Sequence, residues 1–396
     1  MDEMKYCVLI TDGASGWGLK EQGGKTALEL AHTPNLDKMA RNGFMGLSAN
    51  VPPGMEPSSA CACMSLLGYD PEIYYKGRAA IEAVSMGVSV APDEVVFRCN
   101  LVSIIDGKMA SYSAGHISSQ EASELLDAVS KQLGSERVKF YPGVNYRHLL
   151  KLKGMGNTAN ALCTPPHDIS DREVSPYLPQ GEGSLILNQL ISSSQQILRD
   201  HPLNLHRQSQ GKLPANSIWL FWGSGPIPPM PSFKKAYGLD AALTSGVDLL
   251  RGLGLMMDMK ILELHGITDG LNNDFSGQMQ GGLSALRDND MAVIHVEAPD
   301  EAGHAGSLSD KVKAIELIDE FMVSKLLSYP EDIRVLVMPD HPTPIKLKTH
   351  VAEPVPFLMW GKGFSANGVS RFTEKEALKT SIIFEKGCTL MQSFLK

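Results

Sequence analysis

The sequence feature that most constrains the fold is a series of short apolar runs separated by stretches with helical periodicity. Each run has the length of a buried strand, and several end on an acidic residue or a glycine. They cover residues 6–11, 218–222, 259–264, 291–297, 334–338 and 356–360. Helices are predicted over 241–253 and 309–328, where apolar residues recur on one face. Strands that alternate with helices predict an α/β fold with a doubly wound, mostly parallel sheet covered on both faces.

The middle of the chain has a different pattern. A predicted strand at 96–104 runs into a turn, and a helix at 119–133, a strand at 138–141 and a helix at 184–200 follow. This order favours a separate α+β unit, and 396 residues suit two domains. We therefore expect an α+β domain at 98–211, inserted into an α/β core formed by 1–97 and 212–396.

Composition limits the classes of partner. The net charge is −8 and no Lys/Arg run is present, so a nucleic-acid partner is not expected. No uncharged apolar stretch is long enough to span a membrane, and the first residues do not resemble a signal peptide. The six cysteines lack the dense pattern of secreted scaffolds. The sequence thus predicts a cytoplasmic protein with reduced thiols.

Acidic residues and histidines cluster at or just after predicted strand ends. They are Asp12, Asp300, His304, Asp340, His341 and His350. The carboxyl ends of parallel strands meet at one edge of a sheet, so these side chains are expected to lie together. Mixed Asp/His ligation suits Mn²⁺, Zn²⁺ or similar ions. One such residue alone is more often structural, and His32, His201, His206, His265 and His295, which lack such neighbours, are interpreted that way.

Two helix starts follow from local sequence. Thr33 is expected to cap a helix that begins at Pro34 and ends near Gly43. A loop also enters a short helix near Ser58 and Ser59, and that helix ends at Gly68.

A serine at a helix N-terminus meets free N–H groups and the positive end of the helix dipole, which favour a phosphorylated oxygen. It can equally be an ordinary N-cap, and local sequence does not choose between Ser58 and Ser59. Cys61 and Cys63 are competing nucleophiles, although the Asp/His set favours a hydroxyl.

Several motifs, in order along nearly the whole chain, resemble the archaeal-type cofactor-independent phosphoglycerate mutases. The motifs are Asp12-Gly13, Gly23-Gly24-Lys25-Thr26, Thr33-Pro34-Asn35-Leu36-Asp37, Leu67-Gly68-Tyr69-Asp70-Pro71, Tyr75-x-Gly77-Arg78, Phe97-Arg98-Cys99-Asn100-Leu101, Ser113-Ala114-Gly115-His116, Pro214-Ala215-Asn216, Ala298-Pro299-Asp300-Glu301-Ala302-Gly303-His304 and Pro339-Asp340-His341. That family belongs to the alkaline phosphatase-like metalloenzymes, so the resemblance implies their fold for the core.

The resemblance also implies two divalent metal ions, with Mn²⁺ expected first and Mg²⁺, Co²⁺ or Zn²⁺ as alternatives. One ion is implied at Asp300, His304 and His350. The other is implied at Asp12, Asp340 and His341 together with Ser59, which matches the nucleophilic serine by position. The residues implied around the substrate are Arg78, Arg98, His116, His167 and Arg207.

The implied reaction is the interconversion of 3-phosphoglycerate and 2-phosphoglycerate through a phosphoserine, without 2,3-bisphosphoglycerate. The chain departs from the family pattern at Ala60, Cys63 and Gln278, where relatives often have Asp, Asn and Lys. These departures leave three alternatives open: phosphotransfer to another hydroxy acceptor such as homoserine, a phosphomonoesterase, and a non-catalytic binding protein.

Overall fold

The computed structural model describes residues 4–396. Within them, contacts between residues define two compact units. The core unit comprises residues 4–75 and Pro229–Lys396, and the inserted unit comprises Lys76–Pro228.

Strands and helices of the described residues are numbered in chain order. The strands are β1 (Lys5–Thr11), β2 (Phe44–Ser48), β3 (Glu94–Ile105), β4 (Lys108–Ser111), β5 (Val138–Tyr141), β6 (Arg147–Lys153), β7 (Ser217–Ser224), β8 (Ala241–Thr244), β9 (Lys260–Ile261), β10 (Met291–Val296), β11 (Ile333–Met338), β12 (Val355–Gly361) and β13 (Ile383–Phe384). The α-helices are α1 (Ala27–Leu30), α2 (Pro34–Arg41), α3 (Ser59–Leu66), α4 (Pro71–Tyr74), α5 (Arg78–Ser85), α6 (Ser119–Leu133), α7 (Ser184–Arg199), α8 (Pro202–Ser209), α9 (Phe233–Tyr237), α10 (Asp248–Met256), α11 (Phe275–Ala285), α12 (Ala298–Ala305), α13 (Leu308–Ile318), α14 (Ser324–Leu327), α15 (Glu374–Lys379) and α16 (Leu390–Leu395). One π-helical turn, Asp319–Val323, joins α13 to α14.

The core unit is built on an eight-stranded sheet in the order β13-β2-β12-β11-β1-β10-β8-β9. All neighbours are parallel except at β12, which runs antiparallel to both β11 and β2. Residues 7–10 of β1 are completely buried. Because side chains alternate between the two faces of a strand, both faces of the sheet are covered at β1. The predicted α/β fold with a mostly parallel sheet is confirmed.

The inserted unit is built on a five-stranded antiparallel sheet. Its order is β4-β3-β6-β5, and β7 pairs with β3. Apolar residues of α6 and α7 join those of β3 in one hydrophobic cluster. The capping box at Ser118 fixes the start of α6, where the sequence predicts it. This is the α+β arrangement that the sequence predicts for the middle of the chain.

The predicted domain boundaries can be placed on these strands. Boundaries at 97/98 and 211/212 divide β3 and leave out β7, which pairs with β3 in the same sheet. The division into a catalytic core and a substrate domain stays a prediction.

Several element predictions are wrong. Residues 241–253 do not form one helix, because the buried run Ala241–Thr244 adds a parallel strand beside β10 and the helix begins only at Asp248. The stretch 309–328 is helical as predicted, but the π-helical turn Asp319–Val323 interrupts its α-helical hydrogen bonding. The strand predicted at 259–264 is reduced to β9. Thr33 makes no side-chain hydrogen bond at the start of α2.

No helix among residues 4–396 combines the length and apolar character that crossing a membrane requires.

Candidate metal centre and nucleophile

Sheet register brings the acidic side chains of the core unit together. Strand β1 lies between β10 and β11, with Thr11 opposite Val296 and Ile10 opposite Met338. The segments after these strands carry Asp12, Asp300 and Asp340, so the three carboxylates meet at one edge. Gly13 has φ +59°, and a Cβ there would overlap the Asp300 side chain, which makes glycine necessary at this position.

The first ligand group consists of Asp300, His304 and His350. The Oδ2 atom of Asp300 lies 3.0 Å from His304 Nε2 and 3.5 Å from His350 Nε2, and these two nitrogens are 2.9 Å apart. The Nδ1–H groups of the two rings face carbonyl oxygens, that of Lys348 at 3.0 Å and that of Pro57 at 3.3 Å. A nitrogen facing a carbonyl must carry the proton, so in the neutral rings that a metal ion would bind, both Nε2 lone pairs point at each other and at the carboxylate. A cation between these atoms would remove their mutual repulsion.

The second ligand group consists of Asp12, Asp340 and His341, all buried. His341 Nε2 lies 3.2 Å from Asp340 Oδ2 and 3.8 Å from Asp12 Oδ1. The other Asp340 oxygen accepts from the N–H groups of Gly13 and His341, at 3.1 and 2.8 Å. Asp12 Oδ1 is buried without a hydrogen-bond partner. Because a buried carboxylate oxygen is costly to leave unpaired, this group also fits a cation.

The electrostatics of the cluster point the same way. Burial raises the pKa of Asp12, and the nearby Asp340 and Asp300 raise it further. Burial also lowers the pKa of His341 to about 4, in spite of the attraction of Asp340. For His304, burial lowers the pKa, but the hydrogen bond and charge of Asp300 outweigh it and raise the pKa to about 9. Asp12, whose ionised form burial disfavours, and the neutral imidazole of His341 thus form a donor set suited to a divalent ion.

The two candidate serines take different places. Ser58 is the N-cap of α3, where its Oγ accepts from the N–H of Cys61 at 3.3 Å. Ser59 is the first residue of that helix, and its buried Oγ lies 3.2 Å from His341 Nε2. Only Ser59 therefore joins the second ligand group.

Sequence reasoning misses His295, which it sets aside as lacking charged neighbours. In the structure His295 Nε2 lies 2.7 Å from Asp12 Oδ2 and 3.4 Å from Glu297 Oε2. Its Nδ1 lies 2.9 Å from Ser245 Oγ. A signal was present, because His295 and Glu297 are two residues apart on and just after β10 and so share a side of the strand.

Lys311 connects the loop after Asp12 with the loop after Asp340. Its Nζ donates to the carbonyl oxygens of Ser15, at 2.9 Å, and Thr343, at 2.7 Å. Burial lowers the pKa of this lysine to about 8. Ser15 follows Asp12 closely and Thr343 follows His341, so one side chain holds both segments.

In the inserted unit, two of the predicted substrate residues share one partner. Arg78 Nε donates to Glu82 at 3.0 Å, and Arg98 is ion-paired with the other oxygen of the same carboxylate. The Arg78 guanidinium also stacks over Trp222 at 4.5 Å, and the ring of His167 lies 5.8 Å from that of Trp222. Arg78, Arg98 and His167 are thus brought together.

The other two predicted substrate residues lie near Ala114. Arg207 is buried, pairs with Glu121 at 2.9 Å, and donates to the carbonyl oxygen of Ala114 at 2.8 Å. His116 is exposed and has φ +54°. The substrate roles of all five residues stay predictions.

A buried serine hydroxyl beside clustered Asp and His donors, at the carboxyl edge of a mostly parallel sheet, defines a class of protein. The chain is an α/β protein whose mostly parallel sheet carries donor groups suited to divalent metal ions.

Comparison with known proteins identifies the family within this class. The model of the family described as 2,3-bisphosphoglycerate-independent phosphoglycerate mutase matches residues 40–204. The mutase of that name from Methanosarcina acetivorans is 44% identical over 398 residues, which cover 99% of this chain and 100% of the relative. A probable mutase of the same kind from Geobacter sulfurreducens is 43% identical, with the same two coverages. The chain belongs to the family of 2,3-bisphosphoglycerate-independent phosphoglycerate mutases.

Solved structures agree on the fold. The PH0037 protein from Pyrococcus horikoshii is 25% identical with a TM-score of 0.81, covering 99% of this chain and 97% of that one. The cofactor-independent phosphoglycerate mutase from Thermoplasma acidophilum is 23% identical with a TM-score of 0.65, covering 99% and 100%. The predicted family resemblance and fold class are therefore confirmed.

Proposed function

We propose that this chain interconverts 3-phosphoglycerate and 2-phosphoglycerate through a phosphoserine at Ser59. The observation that carries the mechanism is the position of Ser59 Oγ, buried and 3.2 Å from His341 in the second ligand group. Family membership supports the reaction, and the position of Ser59 supports the covalent intermediate.

Ser59 opens α3, whose first turn leaves backbone N–H groups directed outward. These groups and the helix dipole favour the negative charge of a phosphoryl group on Ser59. Ser58 caps this helix, because its Oγ accepts from the N–H of Cys61. Attack of Ser59 Oγ on phosphorus breaks the phosphate ester of the substrate and releases glycerate within the site. The other hydroxyl of glycerate then takes the phosphoryl group from Ser59, which regenerates the serine.

We assign Asp300, His304 and His350 to one divalent ion, and Asp12, Asp340 and His341 to a second ion that Ser59 also reaches. When bound, such ions neutralise phosphoryl oxygens and lower the pKa of a coordinated hydroxyl. Mn²⁺ is the first choice for these oxygen and nitrogen donors, with Mg²⁺, Co²⁺ and Zn²⁺ as alternatives.

Arg78, Arg98, His116, His167 and Arg207 form the proposed substrate-binding set. Arginine suits the phosphate and carboxylate of a phosphoglycerate because its planar guanidinium binds both in a bidentate manner. The role of the inserted unit as a substrate domain is part of this proposal, since all five residues belong to it.

A cytoplasmic location fits an enzyme of glycolysis with six free thiols.

An enzyme-linked assay tests the reaction. Purified protein is given 3-phosphoglycerate with Mn²⁺, without 2,3-bisphosphoglycerate, and both 2-phosphoglycerate and inorganic phosphate are measured. We expect 2-phosphoglycerate, no requirement for the bisphosphate, and no activity after chelation.

Other outcomes of the assay would replace the proposal. Phosphate release in preference to the isomer would indicate a phosphomonoesterase. Transfer only to an added acceptor such as homoserine would indicate a different phosphotransferase. A strict requirement for the bisphosphate would contradict the mechanism.

A further inference from the structure

Cys63 lies one helical turn after Ser59 on α3, so the two side chains share one face of the helix. Its side chain is completely buried. Its Sγ lies 3.6 Å from Asp340 Oδ2. Cys63 also forms a close group of donor atoms with Asp12 and His295, all within 4.8 Å of one another. The thiol therefore faces the second ligand group.

The separations match the spacing of ligands around one small ion. Zinc binds sulfur at about 2.3 Å and oxygen or nitrogen at about 2.0 Å, which places a sulfur and an oxygen on a tetrahedral ion about 3.5 Å apart. The distance from Cys63 Sγ to Asp340 Oδ2 is 3.6 Å. For an oxygen and a nitrogen the corresponding spacing is about 3.3 Å, and His341 Nε2 lies 3.2 Å from the same Asp340 oxygen. Both spacings from Asp340 Oδ2 therefore fit ligands of one ion.

An independent observation indicates a ligand at this place. Asp12 Oδ1, in the same group, is buried and has no hydrogen-bond partner. The other oxygen, Oδ2, is held by His295 at 2.7 Å, and His295 in turn contacts Ser245 at 2.9 Å. Asp12 is thus fixed with its unpaired oxygen on the side that faces His341, at 3.8 Å from Nε2. This is the arrangement of an oriented metal ligand.

We propose that Cys63 Sγ is a ligand of the ion held by Asp12, Asp340 and His341, and that it makes this site selective for a thiophilic ion, Zn²⁺ or Co²⁺. The inference rests on the second metal site of the proposed function and replaces Mn²⁺ as the expected ion there. On binding, the ion takes the place of the thiol proton, which leaves to solvent. Thiolate donors select such ions, whereas carboxylate and imidazole donors also accept Mn²⁺. The group of Asp300, His304 and His350 has no sulfur, so the two sites differ in preference.

Cobalt absorption tests this directly. Full-length protein is freed of metal with a chelator and titrated with Co²⁺ while its near-ultraviolet spectrum is recorded. A thiolate bound to Co²⁺ gives a sulfur-to-metal charge-transfer band, and we expect such a band at one equivalent per chain. Cys63→Ser and Cys63→Asn should lose it. In competition dialysis, the preference of the protein for Zn²⁺ over Mn²⁺ should fall at least tenfold in Cys63→Asn, since even a residue that only supports a ligand costs about 10–100-fold in affinity.

Cys61→Ser is the matched control, because Cys61 is buried on the same helix but packs against Val51 and Ala62. It should keep the band and the preference. If unmodified protein binds cobalt without the band, or if Cys63→Asn keeps the same preference, the thiol only donates a hydrogen bond to Asp340 and the inference is wrong. The spectrum does not depend on turnover. A protein that shows the band but lacks mutase activity would therefore contradict the proposed function alone.

Discussion

At the scale of single residues, the side chains around the proposed site are oriented by hydrogen bonds on their far side. His304 and His350 each donate one ring N–H to a backbone carbonyl, and the second oxygen of Asp340 accepts two backbone N–H groups. These contacts leave one nitrogen or oxygen of each residue free to face the proposed ions. A histidine or an acid without such support would lose side-chain freedom on binding a metal, and its affinity would be lower.

Ser58 and Ser59 provide the sharpest test at this scale. Ser59→Ala should remove turnover, with a loss of about 10⁴-fold or more, as for other covalent nucleophiles. Ser58→Ala removes only the N-cap bond to Cys61 and should cost about 1 kcal/mol of stability at most. Turnover is followed by formation of 2-phosphoglycerate, and phosphate is located by mass spectrometry of acid-quenched protein. Phosphate on Ser58, or an active Ser59→Ala protein, would refute the assignment.

At the scale of elements, the start of α2 is capped from another part of the chain. Thr33 makes no capping bond, and the carboxylate of Asp319 instead accepts from the N–H groups of Leu36, at 2.6 Å, and Asn35, at 3.2 Å. Asp319 begins the π-helical turn after α13. The wide turn thus carries a residue that satisfies the free N–H groups of a second helix.

Replacing Asp319 tests how much this cap contributes to the stability of the protein. Asp319→Ala leaves the donors of α2 without an acceptor and should lower the free energy of unfolding by about 1–3 kcal/mol. Asp319→Asn keeps one acceptor oxygen and should lose less. Thr33→Val serves as the control and should change little, since it removes only a hydroxyl that makes no cap and keeps the buried shape of the side chain. Urea denaturation measures all three, and equal losses for Asp319→Ala and Thr33→Val would contradict the idea.

In the inserted unit, helix α5 is joined to strand β3 by the pairing of Glu82 with Arg98, and Arg78 adds a second contact. Burial alone would raise the pKa of Glu82, but the two arginines outweigh it and lower the pKa below its usual value. The resulting stabilisation is present above the unfolded pKa, about 4.3, and is lost as the pH falls through the lower folded value.

Glu82→Gln should therefore be destabilised most at neutral pH. Breaking a buried ion pair costs about 3–5 kcal/mol. The difference in free energy of unfolding between the variant and the unmodified protein should shrink as the pH falls below about 4. Glu263→Gln, which breaks an exposed pair with Arg251, should cost about 1 kcal/mol or less. Denaturant unfolding between pH 7 and pH 3 gives the free energy of unfolding of both variants as a function of pH. A loss of stability in Glu82→Gln that does not depend on pH would exclude the ionic role of Glu82.

At the scale of the whole molecule, metal and fold should support each other. Asp12 and Glu297 are both buried, and burial raises the pKa of both carboxyls. Neighbouring carboxyls raise them further, Asp340 and Asp300 at Asp12 and Asp12 at Glu297. Divalent ions would offset this repulsion only in the folded protein. At a free metal concentration of one hundred times the dissociation constant, the expected gain is about 2.7 kcal/mol.

Chelation should accordingly lower the melting temperature as well as abolish activity, and added Mn²⁺ or Co²⁺ should restore both. Asp300→Ala, His304→Ala and Asp340→Ala should each remain folded but lose activity and part of the metal-dependent rise in melting temperature. His265→Ala changes an exposed histidine outside the ligand groups and should respond to metal like the unmodified protein. Full activity of a metal-free preparation would rule out the proposed mechanism.

Local sequence determined much of this protein. Short apolar runs and helical periodicity predicted β1, β10, β11 and α6, because burial of an apolar strand or helix face depends on the pattern itself. The same pattern placed Asp12, Asp300 and Asp340 after strands that meet in a parallel sheet.

The tertiary structure decided what depends on residues far apart in the chain. His295 meets Asp12 across 283 positions, Ser59 meets His341 across 282, and Asp319 caps α2 at Leu36 across 283. The run Ala241–Thr244 pairs with β10 as a parallel strand, although alanine and leucine are strong helix formers. Local periodicity carries no information about such partners, since hydrogen bonding and burial there are satisfied by groups from other strands and helices.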